Sequence, residues 1–459
     1  MKKTVDLVVE GGTVITMDRR RRVLKAGGLA ISGNSIEAVG KSTDLGGKYQ
    51  GRRTIKADNA IILPGLISAH THTFQVLFRG LGDDMTLFDW LNRMIWPLSK
   101  QLTEYDCYVG AKLCCLEMIK TGTTCFSDSF YVHIDKRSID GVARAVKETG
   151  IRGVLGRASM DTGAVPAIFL EDVATIIKEV ERVIAEWNGQ ADGRIVICPE
   201  ALFSLFCTPE LWYALGKIAD EVKTGIHCHA AESLGEVQEM RRQQGKSVIE
   251  YLDYLGVLRP DLLIAHAVWV TDREVQMLKA NDVKICHNPI SNQYIADGVA
   301  PVPHMLTAGI TVGLGVDGAA SNNNQDMFQA MKGCALMHKV ASLDATRITA
   351  EQVLEMATIQ SAKALGMDDR IGSLEPGKRA DLIIINLDGK PNLAPNLKPL
   401  SNLVYSATSG DVDTVLIDGK IVMEKRKVKT VNEAQVIDES NRVAWEIVRK
   451  AGAKKQLGL

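Results

Sequence analysis

The sequence predicts an α/β protein: a closed (β/α)8 TIM-type barrel with a small β-sandwich built from both termini. Three observations carry this. Between residues 64 and 370, short apolar runs alternate with helical stretches of ten or more residues, the pattern of βα units and a parallel sheet. About eight such runs follow Leu66, as a closed barrel requires. β-rich segments flank this region at both ends, and the Gly-rich phosphate turn of an open doubly wound sheet is missing.

Residues 1–63 read as the first half of the sandwich. Gly11-Gly12, Gly27-Gly28 and Gly33-Asn34 punctuate short strands, and Ile15 and Met17 alternate across Thr16. Ala60 to Leu63 is an apolar strand. A Pro64-Gly65 turn then leads to a second short strand ending in His70-Thr71-His72. Phe88 to Trp96 is expected to be a short helix stopped by Pro97. A helical period covers 103–120. Strands are expected at 123–127, 153–158, 195–199, 225–230, 262–267, 283–286 and 311–315. Helices fall between them at 139–149, 170–187, 209–222, 248–255, 271–280 and 302–309, and further ones at 325–340 and 349–365 close the 64–370 barrel. Residues 371–430 supply the other half of the sandwich, with a hairpin through Asp418-Gly419. Residues 431–459 carry an amphipathic helix.

Composition narrows the function classes. The 459 residues exceed one ordinary core. A net charge of -1 gives no basic footprint for nucleic acid or anionic membrane. No apolar run approaches a membrane span. The opening lysines are followed by no apolar stretch, so no secretory signal is expected. The nine cysteines lack paired spacing, which suits reduced thiols in a cytoplasmic protein.

In a (β/α)8 barrel, chemistry sits at the C-terminal ends of the strands. His70 and His72 lie two apart and share one strand face. Alone that pair is weak evidence for a metal. But His227, His229, His266 and His287 also fall at expected strand ends, as does Asp317. Six of the nine histidines thus gather where a barrel keeps its site. From the residues alone, either His227 or His229 could be the ligand and the other a core histidine. His133, His304 and His338 read as incidental.

His70-x-His72, His229, His266 and Asp317 resemble the strand 1, 5, 6 and 8 signature of the amidohydrolase superfamily. His229-Ala-Ala-Glu232-Ser, His287-Asn-Pro-x-Ser291-Asn292, Gly313 to Asn323 and Gly372 to Asp381 are similar to its hydrolases of amino-substituted N-heterocycles. The resemblance implies that His70, His72, His229 and Asp317 hold one divalent ion, zinc first and ferrous iron second. It favours His229 over His227, because Glu232 follows at the family spacing. Such an ion makes hydroxide available to attack a ring carbon. Glu232 would protonate the ring nitrogen, His266 would hold the attacking water, and Asp317 would accept its proton. One ion is expected rather than two, since binuclear relatives use a strand-4 lysine and residues 188–216 contain none.

Two branches compete for the substrate. Arg79-Gly80, Asp83-Asp84, Trp90-Leu91 and Trp96-Pro97 are similar to the methylthioadenosine and S-adenosylhomocysteine deaminases. That branch has a ribose-gripping glutamate two residues past the proline, where this chain has Ser99. It also has a Pro-His pair near strand 4, where this chain has Pro199-Glu200. Gln75, Phe88-x-x-Leu91, Leu354 to Ile359 and Val412 to Gly419 resemble the s-triazine hydrolases, such as melamine deaminase and atrazine chlorohydrolase. Asp317-Gly318-Ala319-Ala320 departs from the chlorohydrolase pattern. Guanine deaminases share Phe203-Ser204-Leu205-x-Cys207, but their arginine there is Leu202. The expectation is a metal-dependent hydrolytic deaminase acting on a free purine-, pterin- or triazine-like base. An adenosine-type deaminase or a triazine dechlorinase is the alternative. The retained ligands and Glu232 speak against a catalytically silent scaffold. Gln75, Trp90, Trp96, Ser99, Leu202 and His287 are the candidate substrate contacts. A small heteroaromatic molecule is the expected partner, with no nucleic acid or membrane, in a homo-oligomer.

Overall fold

The computed structural model describes residues 1–455 and 457–459. Eight parallel strands form the barrel: β1 (Leu66–Thr71), β2 (Thr123–Phe130), β3 (Arg152–Ser159), β4 (Ile195–Phe203), β5 (Ile226–Ala230), β6 (Leu262–His266), β7 (Lys284–His287) and β8 (Val312–Leu314). Each pairs with the next in chain order. β8 and β1 meet without a regular ladder. The Asp317 N–H donates to the His70 carbonyl at 3.1 Å, and the Val316 N–H donates to the Ser68 hydroxyl at 3.2 Å. Every residue of β1 is buried, as expected when helices cover the outside and side chains fill the inside.

The helices between the strands fall close to their expected bounds, as Pro209–Val222 and Ser138–Thr149 show. Leu234–Gln244 is an additional helix, capped by Ser233. Its apolar period is faint because Val237 and Met240 are its only buried hydrophobic residues. The 349–365 helix is two pieces, Ala350–Met356 and Ile359–Ala364, broken at Thr358. The helix near Phe88 does not stop at Pro97. Leu87–Trp90 runs into a wide π turn, Leu91–Ile95, and then into Trp96–Ser99. The wider turn lets the proline sit at the start of the last turn, where its missing N–H costs little.

Strands from both termini form one nine-stranded sheet. Ala60–Pro64 pairs antiparallel with Leu382–Asn386, Ile62 opposite Ile384, and this is the seam between the two halves. Leu29, Ile36, Ile62, Leu382 and Leu416 share one core. The Ser35–Lys41 edge returns to meet the far half, with the Ile36 N–H donating to the Lys378 carbonyl at 2.8 Å. The hairpin Val412–Ile417 and Lys420–Glu424 turns at Asp418 and Gly419, with φ of 54° and 75°, as an Asp-Gly turn should. Pro64-Gly65 is not a reversal. The chain passes straight from the mixed sheet into β1, and a Cβ on Gly65 would stand 2.0 Å from the Thr124 hydroxyl.

A buried ion pair fastens the sheet to the barrel. Arg152, at the start of β3, donates to Asp381 at 2.9 and 3.2 Å and to Asp418 at 3.2 Å. Asp381→Ala would leave that guanidinium half-paired out of water. The expected cost is about 3–5 kcal/mol, measured by denaturant unfolding. The C-terminal helix Glu433–Lys450 packs on Glu104–Lys120, with Lys120 and Glu433 2.7 Å apart. No helix among the described residues is long and apolar enough to cross a membrane.

Candidate metal and catalytic site

His70 and His72 leave the end of β1 toward the barrel mouth. There they meet His229 from β5, His266 from β6 and Asp317 just past β8. The His70 and His72 Nε2 atoms stand 3.5 and 3.3 Å from one Asp317 carboxylate oxygen. The His266 Nε2 is 3.9 Å from the other oxygen and 3.5 Å from Glu232. One ring nitrogen each of His70, His72 and His229 fall within 4.8 Å of one another, as do ligand atoms of His70, His266 and Asp317.

The opposite ring edges are already engaged. The His72 Nδ1 donates to the Ser129 carbonyl at 2.6 Å, and the His229 Nδ1 to the Leu202 carbonyl at 2.9 Å. Both Nε2 atoms are therefore left as lone pairs facing the centre. The buried His70 Nε2 has no hydrogen-bond partner. A buried orphan nitrogen facing imidazoles and a carboxylate is what a divalent ion satisfies. Burial pushes the His70 and His229 imidazoles below their ordinary pKa and His72 down to about 3, so all three are neutral ligands. The residues present thus fit one N3O-bound ion.

Backbone strain is concentrated at the same strand ends. Ala231, His266, Ala267 and Asp317 all have left-handed φ, from 46° to 73°. The His266 Nδ1 donates to Asn292 at 2.9 Å, which leaves its Nε2 as a base aimed at the site. Glu232 is buried near Asp317 and Glu236, and burial first, then those charges, holds its pKa well above the carboxylate range.

A cleft opens over these groups, walled by Trp90, Trp96, Tyr131, Leu202, Phe203 and Phe206. Of the candidate substrate contacts, Trp90, Trp96 and Leu202 reach it. The Trp90 indole is fixed by a 2.9 Å hydrogen bond to the Ala320 carbonyl. Gln75 lies one layer back and donates to the Tyr131 hydroxyl at 3.0 Å. Two candidates are corrected. Ser99 is buried with its hydroxyl unpartnered and does not line the cleft. His287 points away from the barrel interior, since Cys286 takes the inward face. Its ring nitrogen lies 3.2 Å from that of His338 on helix Met327–Ser342.

Other residues carry weight that sequence reasoning did not give them. Tyr131 walls the cleft and meets the His72 ring edge-on. Asp128 accepts from the Thr73 N–H and hydroxyl at 2.9 and 2.7 Å, and burial raises its pKa to about 7. Both follow the point where β2 was expected to end. Asn292 stood within a quoted motif, and only the geometry ties it to His266.

Residues 61–422 match the amidohydrolase family. The chain is 39% identical over 447 residues to a 5-methylthioadenosine/S-adenosylhomocysteine deaminase of Pelotomaculum thermopropionicum, covering 97% of this chain and 99% of the relative. An adenosine deaminase from Xanthomonas campestris, solved with bound zinc, superposes with a TM-score of 0.89 at 28% identity, over 97% of this chain and 99% of that one. An atrazine chlorohydrolase from Arthrobacter aurescens TC1, complexed with zinc, superposes with a TM-score of 0.88 at 26% identity, over 95% of this chain and 100% of that one. The match over residues 61–422 and the identity to the Pelotomaculum deaminase across nearly the whole chain show that the chain belongs to the amidohydrolase family.

Proposed function

We propose that the protein is a zinc-dependent aminohydrolase that releases ammonia from a flat, amino-substituted heteroaromatic base. The observation that carries it is the Glu232 carboxyl 3.5 Å from the His266 Nε2, beside four convergent candidate ligands and under an aromatic cleft. When bound, the metal supplies hydroxide at neutral pH. Glu232 donates its proton to the ring nitrogen next to the carbon under attack. The proton that the nucleophile loses passes by way of Asp317 and the freed Glu232 carboxylate to the departing amine, which leaves as ammonia. His266 and Asp317 orient the nucleophile and take its proton. The aromatic wall excludes water and stacks on a planar ring.

The free-base preference rests on what the cleft offers a ribose. Among the described residues that line it, the carboxylates are Glu232 and Asp317, and both are committed to the chemistry. Ser99 is elsewhere, and Glu200 is buried inside the barrel. A vicinal diol would find no carboxylate to grip. Ammonia release from adenosine, S-adenosylhomocysteine, guanine and melamine tests this. The bases are expected to exceed the nucleosides in kcat/KM by at least about tenfold, the worth of one unpaired polar contact. Strong preference for the nucleosides would establish the second reading, an adenosine-type deaminase, which the Pelotomaculum relative favours. Zinc rather than iron, a homo-oligomer and a cytoplasmic setting complete the proposal. Nine buried free cysteines support the last.

A further inference from the structure

We propose that His227 and Glu200 form a buried relay behind the site that fixes His70 as a ligand through Nε2. They are positioning residues, and the inference rests on the metal reading above. The His70 Nδ1 lies 3.2 Å from the His227 Nε2. The His227 Nδ1 in turn lies 3.5 Å from the Ser127 hydroxyl and 3.9 Å from a Glu200 carboxylate oxygen. All four residues are at most 1% exposed.

Proton placement gives the relay a direction. A metal on the His70 Nε2 requires the proton on its Nδ1. That N–H needs a lone pair, so the His227 Nε2 must be bare. His227 then carries its proton on Nδ1, facing Ser127 and Glu200. That Glu200 oxygen has no hydrogen-bond partner, so the His227 Nδ1–H at 3.9 Å faces an unclaimed acceptor. Its room is made by Gly156, where a Cβ would lie 2.0 Å from it. The other Glu200 oxygen accepts from the Ser129 hydroxyl at 2.5 Å. The Ser129 carbonyl accepts from the His72 Nδ1, so one residue of β2 touches both His72 and the Glu200 end of the relay. His72 and His229 are oriented by backbone carbonyls. Among the described residues the His70 ring meets no carbonyl, and it is oriented by a second imidazole instead.

The test compares zinc release to excess chromophoric chelator in native protein, His227→Leu, His227→Gln, Glu200→Leu and Glu200→Gln. Glutamine at 227 can still accept from the His70 Nδ1, and leucine cannot. His227→Leu is expected to release zinc about 10–100-fold faster, with His227→Gln close to native. Glu200→Leu is expected to fall between native and His227→Leu, with Glu200→Gln near native. The cobalt-loaded visible spectrum should shift in the leucine variants alone. Equal release from His227→Leu and His227→Gln would overturn the relay. If His227→Leu does not fold, equal release from the two Glu200 variants would overturn it. A native chain that takes up no zinc would overturn the metal reading and the relay together.

Discussion

Replacing Glu232 with glutamine is expected to lower kcat by about 10²–10⁴-fold while leaving metal uptake unchanged. Glutamine keeps the shape and a hydrogen-bonding head but cannot give up a proton to a ring nitrogen. Glu232 is not among the convergent ligand groups, so metal analysis should separate lost acid from lost metal. The pH profile gives the sign. The native acid works only while protonated, so kcat/KM should fall as pH rises through its elevated pKa. Stability moves in a linked way. The folded protein holds this proton above the ordinary glutamate pKa of about 4.3, and the unfolded chain releases it there. Metal-free native protein should therefore lose stability as pH rises above that point, and the glutamine variant should escape the loss. A higher melting temperature for Glu232→Gln at neutral pH would show a site maintained at some cost in stability. A variant that deaminates at the native rate would remove Glu232 from the mechanism.

The residues most legible in the sequence are those where spacing alone determines direction. His70 and His72 share a face because strand side chains alternate, and their shared contact with Asp317 follows from that. The same alternation reads His287 correctly once the inward face of β7 is known. Nothing in Lys-Ile-Cys-His says that Cys286 rather than His287 faces the barrel interior, because both faces of a barrel strand are buried. Ser99 is singled out by the family position two residues past the proline, and a resemblance in position does not say which way the side chain faces. The helix also runs on past Pro97 through a π turn, for which the composition carries no signal. Asp128 and Glu200 lie in stretches where a strand outlasts its apolar run. A buried carboxylate within a strand reads as a loop residue until its partner is seen. Asp128 pairs with Thr73 from beyond β1, and Glu200 with Ser129 from β2. The seam of the mixed sheet was legible only as an economy, since Ile62 and Ile384 are joined by tertiary pairing across the whole barrel.

Stripping the metal should reduce turnover to background, and one equivalent of zinc should restore it. Lewis-acid stabilisation of the transition state is worth several kcal/mol, so a loss of about a thousandfold or more is expected. Asp317→Asn and His72→Ala should each reproduce the loss with zinc present, by opposite routes. Asparagine keeps the volume but removes the anion that two imidazoles face at 3.3 and 3.5 Å. Alanine removes one nitrogen donor and leaves the carboxylate. Both should bind zinc more weakly, and excess zinc should recover His72→Ala better, because Asp317 also has to accept the proton of the nucleophile. Acid should compete late. Burial holds the empty His72 imidazole to about 3, so protons displace the metal only well below the ordinary imidazole range near about 6.5. Zinc retention followed by chelator fluorescence from neutral pH downward would check this. Release centred near the ordinary imidazole value would mean that solvent reaches the ligands, and a dry, preorganised site would no longer explain the chemistry. Full turnover by metal-free protein would leave the convergence of His70, His72, His229 and Asp317 without a catalytic purpose.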